Sequence, residues 1–248
     1  MKEGFGMDYE RYALIKLAER LVKKYKIKNV LEVYAYNEKS MPSLASIGFA
    51  IAGCDVTLIG ASEKAKRFWD ELNLKVNFLD KELKDIKDAS YDLVWNFASL
   101  LTKENKEEII KEMKRISKNK VLIVGVNGYN VGAPIHKLLH KLKKVPWTHG
   151  DKKFMYYWHA RKLMKNEGMN KIDVGFVDCP PWPDTVGFRD MRLHKIKIDW
   201  DKVDWKVSTV DYIKNGYPLW IKLVYVLERI PMLFHIKMLY SHLFYCVF

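Results

Sequence analysis

Cysteine is nearly missing from this sequence. Only Cys54, Cys179 and Cys246 occur, far apart and with no Cys-x-x-Cys pair, so there is neither a disulfide framework nor a zinc signature. Long apolar runs are missing too. The stretch 217–248 is very apolar, but Lys222, Glu228, Arg229 and Lys237 interrupt it, leaving no run of the ~18 residues that a bilayer-spanning helix needs. No transmembrane segment is therefore expected. The opening residues Met1-Lys2-Glu3-Gly4 contain nothing resembling a signal peptide, and a cytoplasmic location is the expectation. Internal repeats, low-complexity segments and flexible linkers are likewise lacking. A single domain is expected over 1–248, with a core at about 8–143, a cap or insertion at about 144–216, and a closing helix and strand at 217–248.

Acidic residues are in deficit. Against 30 Asp and Glu stand 43 Lys and Arg, a formal net charge of +13. Such a field draws anions: nucleic acid, an acidic partner, anionic lipid headgroups or an anionic small substrate. Lys-rich surfaces also arise from composition alone. Aromatics are plentiful, with eight Trp and fourteen Tyr, and serve either clefts or cores. Histidines at 136 and 140 share one face of a predicted helix, but Lys137-Leu138-Leu139 between them supply no Glu for an H-E-x-x-H zinc site. They read as part of a basic helix face, and no metal is expected.

Helices and strands alternate along the first half. Leu14, Leu17, Ala18, Leu21, Val22 and Tyr25 mark one face of an amphipathic helix, with Asp8 as its expected N-cap. Residues 29–33, 55–59, 75–79, 91–97 and 120–126 are short apolar runs suited to buried parallel strands. Between them, Pro42 suits a helix ending near Gly53, Ser62 caps a second, and Thr102 is expected to cap a third with Ile109, Ile110, Met113 and Ile116 inward. Further helices are expected at 134–143, 156–167 and 218–229, and strands at 171–177 and 242–248, with 185–216 irregular. Such alternation predicts an α/β domain with a mostly parallel sheet covered by helices on both faces. Ligands in such sheets bind beyond the carboxyl ends of the strands.

The runs Val30-Leu31-Glu32-Val33 and Asp55–Ser62, together with Asp80 twelve residues before Asp92 in Tyr91-Asp92-Leu93-Val94, resemble class I S-adenosylmethionine (SAM) methyltransferases over about 28–126. Glu10-Arg11-Tyr12-Ala13, residues 52–58 and residues 177–184 are similar to a group of archaeal and bacterial methyltransferase-like proteins. The resemblance implies a Rossmann-like SAM-methyltransferase fold of seven strands, the last antiparallel beside the fifth with the sixth outside it. It implies SAM as cofactor, with Glu32 and Asp80 retained to hold it; Tyr34 and Tyr36 of the loop that replaces the glycines, and Asn96 and Phe97 at the carboxyl end of the fourth run, are the further cofactor-binding candidates. The family's glycine loop would place glycines at Tyr34, Tyr36 and Glu38, and its second-strand acid at Gly60. The chain departs from the pattern at all four positions.

Beyond the core, Asp178-Cys179-Pro180-Pro181-Trp182-Pro183-Asp184 is stiff. Asp178 and Trp182 there form either a substrate wall or a rigid corner. Residues 137–153, with Trp147, suit a phosphate backbone with a stacked base or an ordinary solvated face. The leading expectation is SAM-dependent methyl transfer to an unidentified acceptor, an anionic one suiting the positive field. The alternatives are a catalytically inactive partner or regulatory subunit, bringing a protein partner, and a basic nucleic-acid-binding module. No catalytic residue is legible.

Overall fold

The computed structural model describes residues 4–35, 43–147, 150–180, 204, 206–230 and 233–248. Tyr36, Pro42, Trp182 and most of the proline-rich loop lie outside them. The chain runs α1 (Phe5–Tyr25), β1 (Asn29–Glu32), α2 (Ile47–Ile51), β2 (Asp55–Ile59), α3 (Glu63–Glu71), β3 (Val76–Leu79), β4 (Tyr91–Phe97), α4 (Lys106–Ile116) and β5 (Ser117–Val126). It continues through α5 (Ala133–Leu142), α6 (Tyr157–Asn166), β6 (Asp173–Val177), α7 (Ser208–Asn215), α8 (Leu219–Arg229), α9 (Phe234–Tyr240) and β7 (Leu243–Val247).

All seven strands join one sheet in the order β3-β2-β1-β4-β5-β7-β6. Strands β1 to β5 pair in parallel, and β7 runs antiparallel between β5 and β6. Successive residues point to opposite faces, so the apolar runs feed two cores. Val30, Leu93, Leu122 and Tyr245 pack toward α1, α2, α3, α7 and α8. Leu31, Val94, Ile123 and Phe244 pack toward α4 and α6. Every residue of β7 is buried, as expected of a strand covered on both faces.

Several local expectations are corrected. Asp8 does not cap α1: Gly4 does, and buried Asp8 lies in the first turn, where a carboxylate complements the helix N-terminus. Thr102 does not cap α4, which begins beyond Asn105; the Thr102 hydroxyl instead donates to the Ser99 carbonyl at 2.7 Å. Residues 208–215, expected to be irregular, form α7. His136 and His140 are buried rather than on an exposed basic face, with their Nε2 atoms 3.2 Å apart and Trp147 against both rings. The Val145 carbonyl accepts from His140 Nδ1 at 3.1 Å, so His140 Nε2 is the acceptor and His136 Nε2 the donor. Among the described residues no group of three or more His, Cys, Asp and Glu is placed to hold a metal ion, and no helix is long and apolar enough to cross a membrane. Ser62 caps α3 as expected, accepting from the Ala65 amide at 3.3 Å.

Candidate functional site at the carboxyl edge of the sheet

After β1 the chain turns outward to β2 and β3, and later returns to place β4 on the opposite side of β1. The crevice between the ends of β1 and β4 is thus the topological switch point. Three left-handed residues stand on this edge. Tyr34, beyond β1, has φ 54°, Gly60, beyond β2, has φ 79°, and Ala98, beyond β4, has φ 58°. A fourth, Asp178 with φ 59°, follows β6. For non-glycine residues this conformation costs about 1–2 kcal/mol each. Such strain persists only where the surroundings over-determine it, and it clusters at functional sites.

The surroundings here are specific. Ala35 N–H donates to the Ile59 carbonyl at 2.7 Å and Val33 N–H to the Trp95 carbonyl at 2.9 Å. Asn96, buried, donates through Nδ2 to the Val33 carbonyl at 2.7 Å and to Ser99 Oγ at 2.8 Å, while its Oδ1 accepts from Leu100 N–H at 2.7 Å. Its amide therefore clasps the loops after β1 and β4 together. Ser99 Oγ also reaches the Tyr34 carbonyl at 3.2 Å. The Tyr34 ring is half-buried, with the Lys103 ammonium 5.7 Å from its centroid. Phe97 is half-buried, and Asp80 is exposed just past β3.

Glu32 is buried and turns toward the α1–α2 side. Its Oε2 accepts from Ser46 Oγ at 2.5 Å, and Ser46 Oγ accepts from Trp95 Nε1 at 2.9 Å. Burial pushes its carboxyl up to about 7, opposed by the Ser46 hydrogen bonds and by Arg11. Its carboxylate thus fixes the segment entering α2.

The far half of the edge holds a pair that no sequence pattern revealed. His242, just before β7, directs Nδ1 to Asp178 Oδ2 at 2.9 Å, and its backbone N–H donates to the Asp178 carbonyl at 2.8 Å. A carboxylate accepts only, so with Asp178 ionised the proton of this contact sits on His242 Nδ1, while His242 Nε2 is buried. Nearby, buried Glu228 accepts from Tyr9 OH at 2.6 Å and from Cys179 N–H at 2.9 Å. Burial raises the Glu228 carboxyl and pushes the Cys179 thiol up to about 12, leaving that thiol unsuited to act as a nucleophile. Asn127 and Asn130 beyond β5 were also missed. Both donate to the Ser241 carbonyl, at 2.8 and 3.0 Å, and so tie the approach to His242 in place.

The structure thus brings Tyr34, Asn96 and Phe97 to the crevice, with Asp80 beyond β3 and Asp178 in the far half. Tyr36 and Trp182 lie outside the described residues.

No protein-family model and no curated protein matches the chain. Solved structures do. Magnesium protoporphyrin IX methyltransferase from Synechocystis PCC 6803, solved with bound S-adenosylhomocysteine (SAH), is similar at TM-score 0.52 and 18% identity, over 68% of this chain and 77% of that one. A SAM-dependent methyltransferase from Archaeoglobus fulgidus gives TM-score 0.51 and 12% identity, over 94% and 93%. The cyclase SpnF gives TM-score 0.53 and 15% identity, over 94% and 78%. The third shows that one architecture carries different reactions. In its strand order and in these likenesses, the chain has the fold of the class I SAM-dependent methyltransferases.

Proposed function

We propose that this protein is a SAM-dependent methyltransferase whose cofactor loop keeps the glycine-type backbone without the glycine. The observation that carries this reading is Tyr34, left-handed at φ 54° at the position of the family's first glycine. The chain accepts strain there to hold a turn at the switch point. The family's use of that turn is to bring backbone close to the cofactor. SAM supplies, when bound, a methyl group already activated on a sulfonium. The protein's own work is therefore to align an acceptor and exclude water. Tyr34–Ala35 backbone and the Phe97 ring would flank the cofactor, with Asp80 toward its adenosine end. Asn96 and Glu32 act as positioning residues: one clasps two loops and the other anchors α2.

On the acceptor side, His242 would take up a proton at Nε2 when the acceptor must lose one, with Asp178 holding the ring at Nδ1; Nε2 is buried in this structure, so acceptor binding has to uncover it. One observation favours the inactive-partner reading instead: Gly60 occupies the position of the acid that meets the ribose.

Calorimetry with SAH decides between them. One molecule per chain should bind, Asp80→Ala should weaken binding about tenfold through loss of a hydrogen bond, and Tyr34→Gly should retain it. Absence of heat up to millimolar SAH would transfer the chain to the inactive-partner reading. With an acceptor supplied, His242→Ala should lower turnover about 100-fold and leave SAH affinity unchanged; equal turnover would remove His242 from the reaction.

A further inference from the structure

A helix on a globular domain turns its apolar stripe inward. Three helices here carry apolar residues on their outward faces as well. In α8 only Ile221 and Glu228 are buried, while Leu219, Leu223, Val226 and Leu227 are exposed along one face, Leu219 by 70%. Nothing in α9 is buried, and Ile236, Leu239 and Tyr240 are exposed beside Leu233, itself 74% exposed. In α5, Ile135, Leu138 and Leu142 are exposed at helical spacing. The helices adjoin: Val131 N–H, just before α5, donates to the Leu239 carbonyl at 2.9 Å, and Asn130 Nδ2 to the Tyr240 carbonyl at 3.0 Å. Of the twenty exposed large hydrophobic residues among those described, eleven lie between Leu219 and Tyr240. That concentration is far above the scattered exposure of ordinary surfaces.

Cations border this face. A groove of about 1010 Å³ runs between α1 and the α8–α9 pair, and Val226, Arg229 and Lys237 belong to its wall. Lys16, Arg20, Lys23 and Lys222 line it as well; in all it holds eight cationic side chains against Glu19 and Glu228. Glu228 is turned inward to Tyr9.

We infer that the α5–α8–α9 face docks on an anionic bilayer surface, its aliphatic side chains entering the headgroup boundary while the groove's cations meet lipid phosphates. The combination selects this occupant. A second copy would bring cations against cations on a chain of net charge +13. Nucleic acid would use the cations but leave the exposed leucines in water. An interfacial helix uses both at once. No described helix is long and apolar enough to cross, so the protein lies on the bilayer. This inference is independent of the methyl-transfer reading.

The test is flotation of the full-length protein, without SAM, on vesicles of phosphatidylglycerol mixed with phosphatidylcholine or of phosphatidylcholine alone. Binding should be at least tenfold stronger to the anionic vesicles and should fall steeply toward about 0.5 M salt. Leu223→Asp with Leu227→Asp, at exposed positions, should abolish it with an unchanged melting temperature. Lys222→Glu with Lys237→Glu should erase the preference for anionic lipid. Several results would overturn the inference: no binding to anionic vesicles, equal binding to both compositions, or binding unaffected by the two aspartates. So would a dimer in sedimentation equilibrium, or capture of a single-stranded oligonucleotide, without vesicle binding.

Discussion

Glu32 is a carboxyl whose burial moves its titration into the neutral range. Its carboxyl is raised from 4.5 to about 7, chiefly because burial disfavours the charge. The sign of the consequence follows. The folded state holds the proton more tightly than the unfolded chain does, so the contribution is complete below pH 4.5 and is lost as pH climbs through 7. At 1.36 kcal/mol per pH unit the whole span is about 3 kcal/mol. Glu32→Gln keeps an acceptor for Ser46 but cannot titrate. In urea unfolding, the wild type should lose stability relative to Glu32→Gln between pH 5 and 7. Glu228, raised by burial in the same direction, is common to both proteins and cancels. Parallel pH profiles would show that Glu32 stays ionised in the fold.

At the scale of elements, β7 ties β6 to the five parallel strands, and its aromatics fill space left by glycines. Gly125 faces Phe244 and Gly175 faces Tyr245 in register. A Cβ on Gly125 would come within 2.6 Å of Phe244 Cζ, and one on Gly175 within 2.6 Å of Tyr245 Oη. Phe244 is fully buried and has no room to yield. Gly125→Ala should therefore cost about 1–3 kcal/mol by overpacking. Gly125→Ala combined with Phe244→Leu should recover part of that loss in the same denaturation measurement. An unchanged midpoint for the single variant would mean that the ring moves freely. These elements also show what a sequence exposes. Strands such as Val121–Val124 were legible because both faces are buried and the run is continuously apolar. Helix α9 was not, because its apolar residues face outward and trace no inward stripe. The site divides in the same way. Asp80 and Glu32 stood out as candidates through their resemblance to the methyltransferase pattern. The Asp178–His242 pair joins residues 64 apart in sequence, and only the antiparallel insertion of β7 beside β6 brings them together. Tyr34 was visible as a departure from glycine, but its left-handed backbone was not.

For the whole molecule, a net charge of +13 has two consequences of opposite sign. Like charges crowd the folded state more than the expanded chain, so self-repulsion lowers stability. The groove concentrates it: Lys16 and Lys24 have acidic partners in Glu19 and Asp173, but the other cations lining it far outnumber its acids. Salt screens charges more than about 10 Å apart at 0.1 M. It should thus relieve repulsion spread over the surface while leaving the short ion pairs largely intact. Melting temperature should accordingly rise as sodium chloride goes from about 0.05 to 0.5 M, by a few degrees for each kcal/mol regained. Attraction to an anionic surface is screened by the same salt and should fall over the same range. Differential scanning calorimetry and flotation on one preparation would give both curves. Opposed slopes are expected if one field governs both. A melting temperature that falls with salt would mean that local ion pairs outweigh the net charge, and that the basic groove is not a source of strain in the fold.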